Sequence, residues 1–234
     1  MRSLAATADT IRVDAGDLPI WPEGQAVKGR GDQVIAMATF EDAPRYHPAL
    51  IDKVLRLYDD PSVKRVCSVS SAGTKIHGIG DWGFPEADLV NARAIELFKR
   101  VYGKKQGLVH VSWANISRQG EYSMPHAHPD CEAVAVYCLD PGEPNPIDPL
   151  DGILAFVDPR YKACCRAIDG YMTTPVMPNM KAGSLIIFPS TLVHCVSPYQ
   201  GTRPRITFSW DLTDRLRGRP RVMDEIDREY GAGG

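Results

Sequence analysis

The segment Pro125-His-Ala-His-Pro-Asp130 decides how the chain is read, together with Phe188-Pro-Ser-Thr-Leu-Val-His194 and Arg205-Ile-Thr-Phe-Ser-Trp210. His126, His128 and Asp130 stand at i, i+2 and i+4. On an extended strand such residues project to one face. Residues two apart are roughly 7 Å apart at Cα, close enough for two long side chains to share one ion, whereas residues four apart, at roughly 13 Å, are not. Two pairings therefore compete: His126 with His128, and His128 with Asp130. His194 lies far downstream beside another apolar run and can meet either pair from across a sheet. A lone H-x-H is ordinarily incidental, and a lone histidine or strand-end arginine more so. Here the H-x-H follows a glycine turn and precedes an apolar strand. The distal histidine follows an apolar strand and a Phe-Pro-Ser turn, and Arg205 opens an alternating strand. That order favours a metal site.

Composition sets the frame. The 234 residues suit one large domain, and 44% hydrophobic with 24% charged residues is ordinary for a globular chain. A formal net charge of -2 gives no bulk field for nucleic acid or a membrane surface. With 20 Gly and 19 Pro, short strands and turns are favoured over a helical bundle. The N-terminus lacks the continuous apolar core of a signal peptide, and no apolar run approaches the roughly 18 residues of a membrane span. The six cysteines form no C-x-x-C pair, which reads as reduced thiols and a cytoplasmic setting.

Working outward, residues 1–33 carry little regular pattern, and 33–40 reads as a strand. Leu50, Ile51, Val54, Leu55 and Tyr58 mark an amphipathic helix begun near Pro48. The glycine-rich segment from Gly73 to Pro85, with His77, Asp81 and Trp82, reads as a loop able to act as a lid. A second amphipathic helix runs over 86–102 and stops at Gly103. From Gln106 the pattern turns to seven or eight short strands between Gly/Pro loops, the signature of a sandwich or barrel. The expected class is mainly β with flanking helices. It is one domain over 1–234, with a helical support region at 1–105, a β core at 106–212 and a peripheral tail at 213–234.

Two histidines and a carboxylate make the facial triad of non-haem Fe(II) oxygenases, which leaves positions for a chelating 2-oxo acid and O2. The far carboxylate of such an acid needs a fixed cation. Arg205 offers a bidentate fork, with Thr207 on the same strand face. Asn115 and Tyr137, on strands expected to line the barrel, are candidate contacts to the 2-oxo acid.

Residues 106–212 resemble the 2OG-Fe(II) oxygenase family found in bacteria and phages. The resemblance is carried by Trp113-Ala-Asn115, Gly120, His126-Ala-His128-Pro129, Val136-Tyr137, Gly152, Asp158-Pro-Arg160 and Gly183-Ser-Leu-Ile-Ile-Phe-Pro189. It continues through His194-Cys-Val-Ser-Pro198, Gly201 and Arg205-Ile-Thr207. It implies a double-stranded β-helix (jelly-roll, cupin-like) fold, with Fe(II), 2-oxoglutarate and O2. Because that family carries H-x-H where most relatives carry H-x-D/E, it also implies His126, His128 and His194 as ligands, with Asp130 the alternative third. The expected activity is hydroxylation of a C–H bond in a small-molecule or amino-acid/peptidyl substrate. The alternatives are a three-histidine dioxygenase that uses no 2-oxoglutarate and a non-catalytic metal-binding sensor. The substrate is not legible in the sequence, and a homodimer is compatible with it.

Overall fold

The computed structural model describes residues 9–30, 34–63, 66–68, 71–128, 130–157, 165–168, 171–175 and 177–215. In chain order come the hairpin β1 (Thr10–Val13) and β2 (Gly16–Pro19), then β3 (Val27–Arg30) and β4 (Ile35–Thr39). Next are helix α1 (His47–Asp59), β5 (Val66–Ser68), β6 (Ser71–His77), helix α2 (Pro85–Tyr102), β7 (Leu108–Ser117) and β8 (Ser123–His126). β9 (Ala133–Asp140), β10 (Leu154–Phe156), β11 (Cys165–Ile168), β12 (Tyr171–Pro175), β13 (Ser184–Pro189), β14 (His194–Val196) and β15 (Arg205–Thr213) follow.

β1 with β2 and β11 with β12 form separate hairpins. The other strands join one antiparallel sheet in the order β10-β14-β8-β6-β7-β15-β9-β13-β4-β3, with β5 on β6. β3, β4 and β6, from the expected support region, are thus built into the sheet. β1 to β3 form in a region that carries little sequence pattern. β6 forms where Ser, Gly and Thr predict a loop; its partner β7 supplies the ladder that local composition does not advertise.

Alternation sorts the two faces of this sheet. On β15, Ile206, Phe208, Trp210 and Leu212 pack into the main core with Ala114 and Ile116 of β7, Tyr137 and Leu139 of β9, and Leu185 and Ile187 of β13. The helices cover this face. α2 begins with Pro85, carries Glu86 and Asp88 in its first turn and ends at Gly103 in the left-handed region. It buries Leu89, Val90, Ala94, Leu97 and Phe98, and full burial of each large apolar side chain is worth about 1.5–3 kcal/mol. The opposite face holds a smaller apolar cluster of Val134, Val136, Leu154, Phe156, Ile186, Phe188 and Leu192. It also holds the polar residues at odd positions of β7 and β15.

The segment expected as a lid is pinned at Trp82. Its indole N–H donates to the His77 carbonyl (2.9 Å), and its ring meets Phe208 edge-on at 5.6 Å. Cys131, Cys138 and Cys195 are free thiols, and no helix among the described residues is long and apolar enough to cross a membrane. Pro129, Asp158-Pro-Arg160 and Cys164 lie outside the described residues.

Candidate metal centre

His126, the last residue of β8, stands directly opposite His194, the first of β14, in antiparallel register. Phe156 of β10 lies across His194 on its other side. His128 follows two residues after β8, and its backbone N–H donates to the Ser190 carbonyl (2.9 Å). This anchoring turns its ring back toward the other two. The candidate ligand atoms of His126, His128 and His194 all lie within 4.8 Å of one another.

The outer nitrogens of the three rings are all engaged. His126 Nδ1 meets the Met124 carbonyl (2.6 Å), His194 Nδ1 the Leu192 carbonyl (2.9 Å) and His128 Nδ1 the Asp211 carboxylate (2.7 Å). Each oxygen can only accept, so each Nδ1 carries the hydrogen and each neutral ring keeps its lone pair on Nε2. Burial pushes His126 down to about 4 and His194 well below its ordinary value, so both rings are neutral near pH 7. His128 Nε2 is buried without a hydrogen-bond partner among the described residues. Lone pairs that converge with no hydrogen between them repel. A cation satisfies all three, so the donor set fits a first-row divalent metal.

A polar wall runs from this cluster. Trp113 stacks on His128, with ring centroids 5.7 Å apart and planes 9° apart, and its indole N–H donates to Asn115 Oδ1 (3.0 Å). Asn115 Nδ2 in turn donates to Ser209 Oγ (3.1 Å) and Thr207 Oγ1 (3.5 Å). Thr207 is thereby an acceptor from Asn115, which leaves its own hydrogen to point onward. At the far end Arg205 is buried, 7% exposed, and its guanidinium makes no hydrogen bond or ion pair among the described residues. Burial lowers its pKa. The nearby acid Asp151 has its oxygens occupied by Asn145 Nδ2 (2.9 Å) and the Gln200 N–H (2.8 Å). A buried guanidinium with no anion is an open socket for a carboxylate.

The structure thus brings together His126, His128 and His194, and sets Asn115, Thr207 and Arg205 along one wall. Two expectations are corrected. Tyr137 does not line this wall. It points through β9 toward the helices, where its hydroxyl meets Tyr46 and His47 Nε2, each at 2.6 Å. β-strand alternation sends Tyr137 and its neighbour Cys138 to opposite faces, and Cys138 took the inner one. Asp130 is exposed, sits in the left-handed region at φ 67° and is not part of the convergent group. Asp211 was missed. In sequence it reads as one more polar position on an alternating strand, and only the fold puts it on His128.

Residues 111–211 match the family described as “Putative 2OG-Fe(II) oxygenase”. No curated protein matches the chain in sequence. Solved structures similar to it include AviO1 from Streptomyces viridochromogenes Tue57, at TM-score 0.58 and 15% identity over 84% of this chain and 100% of that one. A Pseudomonas putida prolyl-4-hydroxylase superposes at TM-score 0.54 and 17% identity, over 80% and 94% of the two chains. The epimerase SnoN, solved with Fe3+, alpha ketoglutarate and nogalamycin RO, superposes at 0.56 and 13% identity, over 78% and 79%. These likenesses establish the fold as a double-stranded β-helix. The matched segment contains His126, His128, His194, Arg205 and Asp211, and it is similar to 2OG-Fe(II) oxygenases, oxidoreductases of a family that uses Fe(II), 2-oxoglutarate and O2.

Proposed function

We propose that residues 1–234 form a single oxygenase domain of the cytoplasm that hydroxylates a C–H bond of a small-molecule or amino-acid/peptidyl substrate. His126, His128 and His194 would hold Fe(II), and Arg205 with Thr207 would hold the far carboxylate of 2-oxoglutarate. The observation that carries this reading is the pairing of three inward-facing Nε2 atoms with a buried, unpaired guanidinium on the same wall. Bound iron supplies O2 activation coupled to oxidative decarboxylation of 2-oxoglutarate to succinate. The chain's own part is to orient and shield. Carbonyls of Met124 and Leu192 and the carboxylate of Asp211 fix the ring tautomers. Asn115 fixes the Thr207 hydroxyl, and Arg205 aligns the acid by a bidentate fork. Phe156 and Phe188 pack beside His194 and keep water from that side.

Arg205 also counts against a three-histidine dioxygenase that needs no 2-oxo acid, because nothing else in such an enzyme requires a buried cation there. Protein freed of metal, mixed anaerobically with Fe(II) and 2-oxoglutarate, should develop the visible metal-to-ligand charge-transfer band of a chelated 2-oxo acid. Admission of O2 should then release succinate. Absence of both band and succinate would overturn the proposal.

A further inference from the structure

Three neutral histidines leave a divalent ion with its full charge, whereas a facial triad neutralises half of it with a carboxylate. We infer that Asp211 acts as a positioning residue that supplies the missing negative charge from outside the ligand set, through the ring of His128. The inference rests on the three-histidine reading of the metal site.

Asp211 is the only acid of β15, on the same strand face as Arg205, Thr207 and Ser209. Its Oδ1 lies 2.7 Å from His128 Nδ1, with both side chains nearly buried at 12% and 10% exposure. The described residues bury three acids: Glu86, Asp140 and Asp211. Glu86 is matched by Lys53 at 2.7 Å, and Asp140 by Arg203. Asp211 has no lysine or arginine in an ion pair among the described residues; its one ion-pair contact is His128. A carboxylate taken out of water without a cation costs several kcal/mol, on the order of the penalty for any unpaired buried ion. That cost is offset if positive charge arrives at the far nitrogen of the ring it holds. The neighbouring rings differ in kind, since His126 and His194 donate to neutral carbonyls. Of the three histidines, only His128 therefore has its basicity raised by a full negative charge. Asp211 also locks the His128 plane parallel to Trp113, so charge and orientation reach the metal through one contact.

Asp211→Asn separates these roles, because its amide oxygen still accepts from Nδ1 while the charge is gone. The test is the Fe(II) dissociation constant, measured anaerobically by chelator competition, with the Fe(III)/Fe(II) midpoint measured in parallel. Asp211→Asn should weaken Fe(II) by about 10- to 100-fold and move the midpoint positive, at unchanged secondary structure by circular dichroism. A variant that binds Fe(II) as the wild type does, with an unmoved midpoint, overturns the inference while leaving the metal site standing. A wild type that binds neither Fe(II) nor Zn(II) overturns the site reading itself, and this inference with it. A measurement on the wild type needs no variant to fold. In the Zn(II)-loaded protein, the His128 Nδ1 proton should resonate well downfield of those of His126 and His194. Three equivalent signals would count against a charged outer partner.

Discussion

His126 and His194 face each other across β8 and β14 with ring centroids 4.4 Å apart, so two histidines far apart in sequence are fixed by a single antiparallel register. His128 reaches the same point from beyond the strand end. If these three rings hold the metal, His126→Ala, His128→Ala and His194→Ala should each weaken Fe(II) by more than about 100-fold, beyond what loss of an outer-sphere partner costs. Asp130→Ala should leave the affinity as it is, because the exposed Asp130 stands apart from the cluster. Chelator competition under anaerobic conditions decides this. A weak Asp130→Ala beside an intact His126→Ala would reverse the ligand assignment.

Arg205 should show opposite effects on binding and on stability. Its guanidinium is buried without a hydrogen bond or ion pair among the described residues, a state that disfavours the empty fold. Arg205→Met keeps the volume and removes the charge. The variant should lose about 100-fold in 2-oxoglutarate affinity, since hydrogen bonds to charged groups contribute roughly 1.5–3 kcal/mol each. Fe(II) affinity should be unchanged, and the melting temperature without cosubstrate equal or higher. Loss of iron binding in this variant would show that Arg205 serves the metal site instead.

The parts of the site that were legible in sequence are those written in residue types. H-x-H, a distant histidine and a strand-opening arginine announce themselves, and both amphipathic helices and the strands of the β core follow from periodicity. Illegible were the contacts that only register creates. Asp211 meets His128 because β15 runs beside β7 and β9, and no local spacing encodes that. Tyr137 failed for a related reason. On β9 every residue is buried on one face or the other, so hydrophobicity does not say which way a side chain points. The choice between His126 and Asp130 was open because extended-strand geometry treats both alike. The chain leaves the strand after His126, and that is what separates them.

A pH dependence follows from His47, on the helix side of the sheet. Burial lowers it to about 4, and its Nε2 is hydrogen-bonded to the Tyr137 hydroxyl at 2.6 Å. The folded state therefore holds it neutral, while the unfolded chain takes up a proton near its ordinary value of 6.5. The unfolded state binds more protons between these two values, so stability falls as pH drops from about 6.5 to about 4 and is flat with respect to this group outside that window. The loss reaches about 3 kcal/mol at about 1.4 kcal/mol per pH unit. Urea titrations of metal-free wild type and His47→Gln should show a shallower acid decline in the variant. Equal slopes would mean that His47 does not carry the effect.

Gly152 makes room for the Arg205 side chain. Its backbone is left-handed at φ 60°, and a methyl group there would sit 3.1 Å from both Arg205 Cδ and the Tyr199 ring. Gly152→Ala should thus cost about 1 kcal/mol in backbone strain and displace the guanidinium. Expected is a rise of roughly tenfold or more in the 2-oxoglutarate dissociation constant, as loss of one good hydrogen bond would give, with Fe(II) binding unaltered. Lowered stability alone, with cosubstrate affinity intact, would mean that Tyr199 absorbs the methyl and Arg205 keeps its place.

Tyr137 provides the control for the corrected wall. Arg93 donates to the Tyr46 hydroxyl (2.9 Å), which is hydrogen-bonded to the Tyr137 hydroxyl, itself hydrogen-bonded to His47 Nε2, so the Tyr137 hydroxyl links a buried polar chain. Tyr46 is pushed up to about 12 and Tyr137 well above its ordinary value, both chiefly by burial, so neither hydroxyl ionises in the working pH range. Tyr137→Phe leaves the Tyr46 hydroxyl and His47 Nε2 without this partner. It should destabilise the fold by about 1–3 kcal/mol, read as a lower urea midpoint at unchanged slope. Because its hydroxyl faces the helices, the affinities for Fe(II) and 2-oxoglutarate should stay at wild-type values. A selective loss of 2-oxoglutarate binding, at unchanged stability, would return Tyr137 to the cosubstrate pocket.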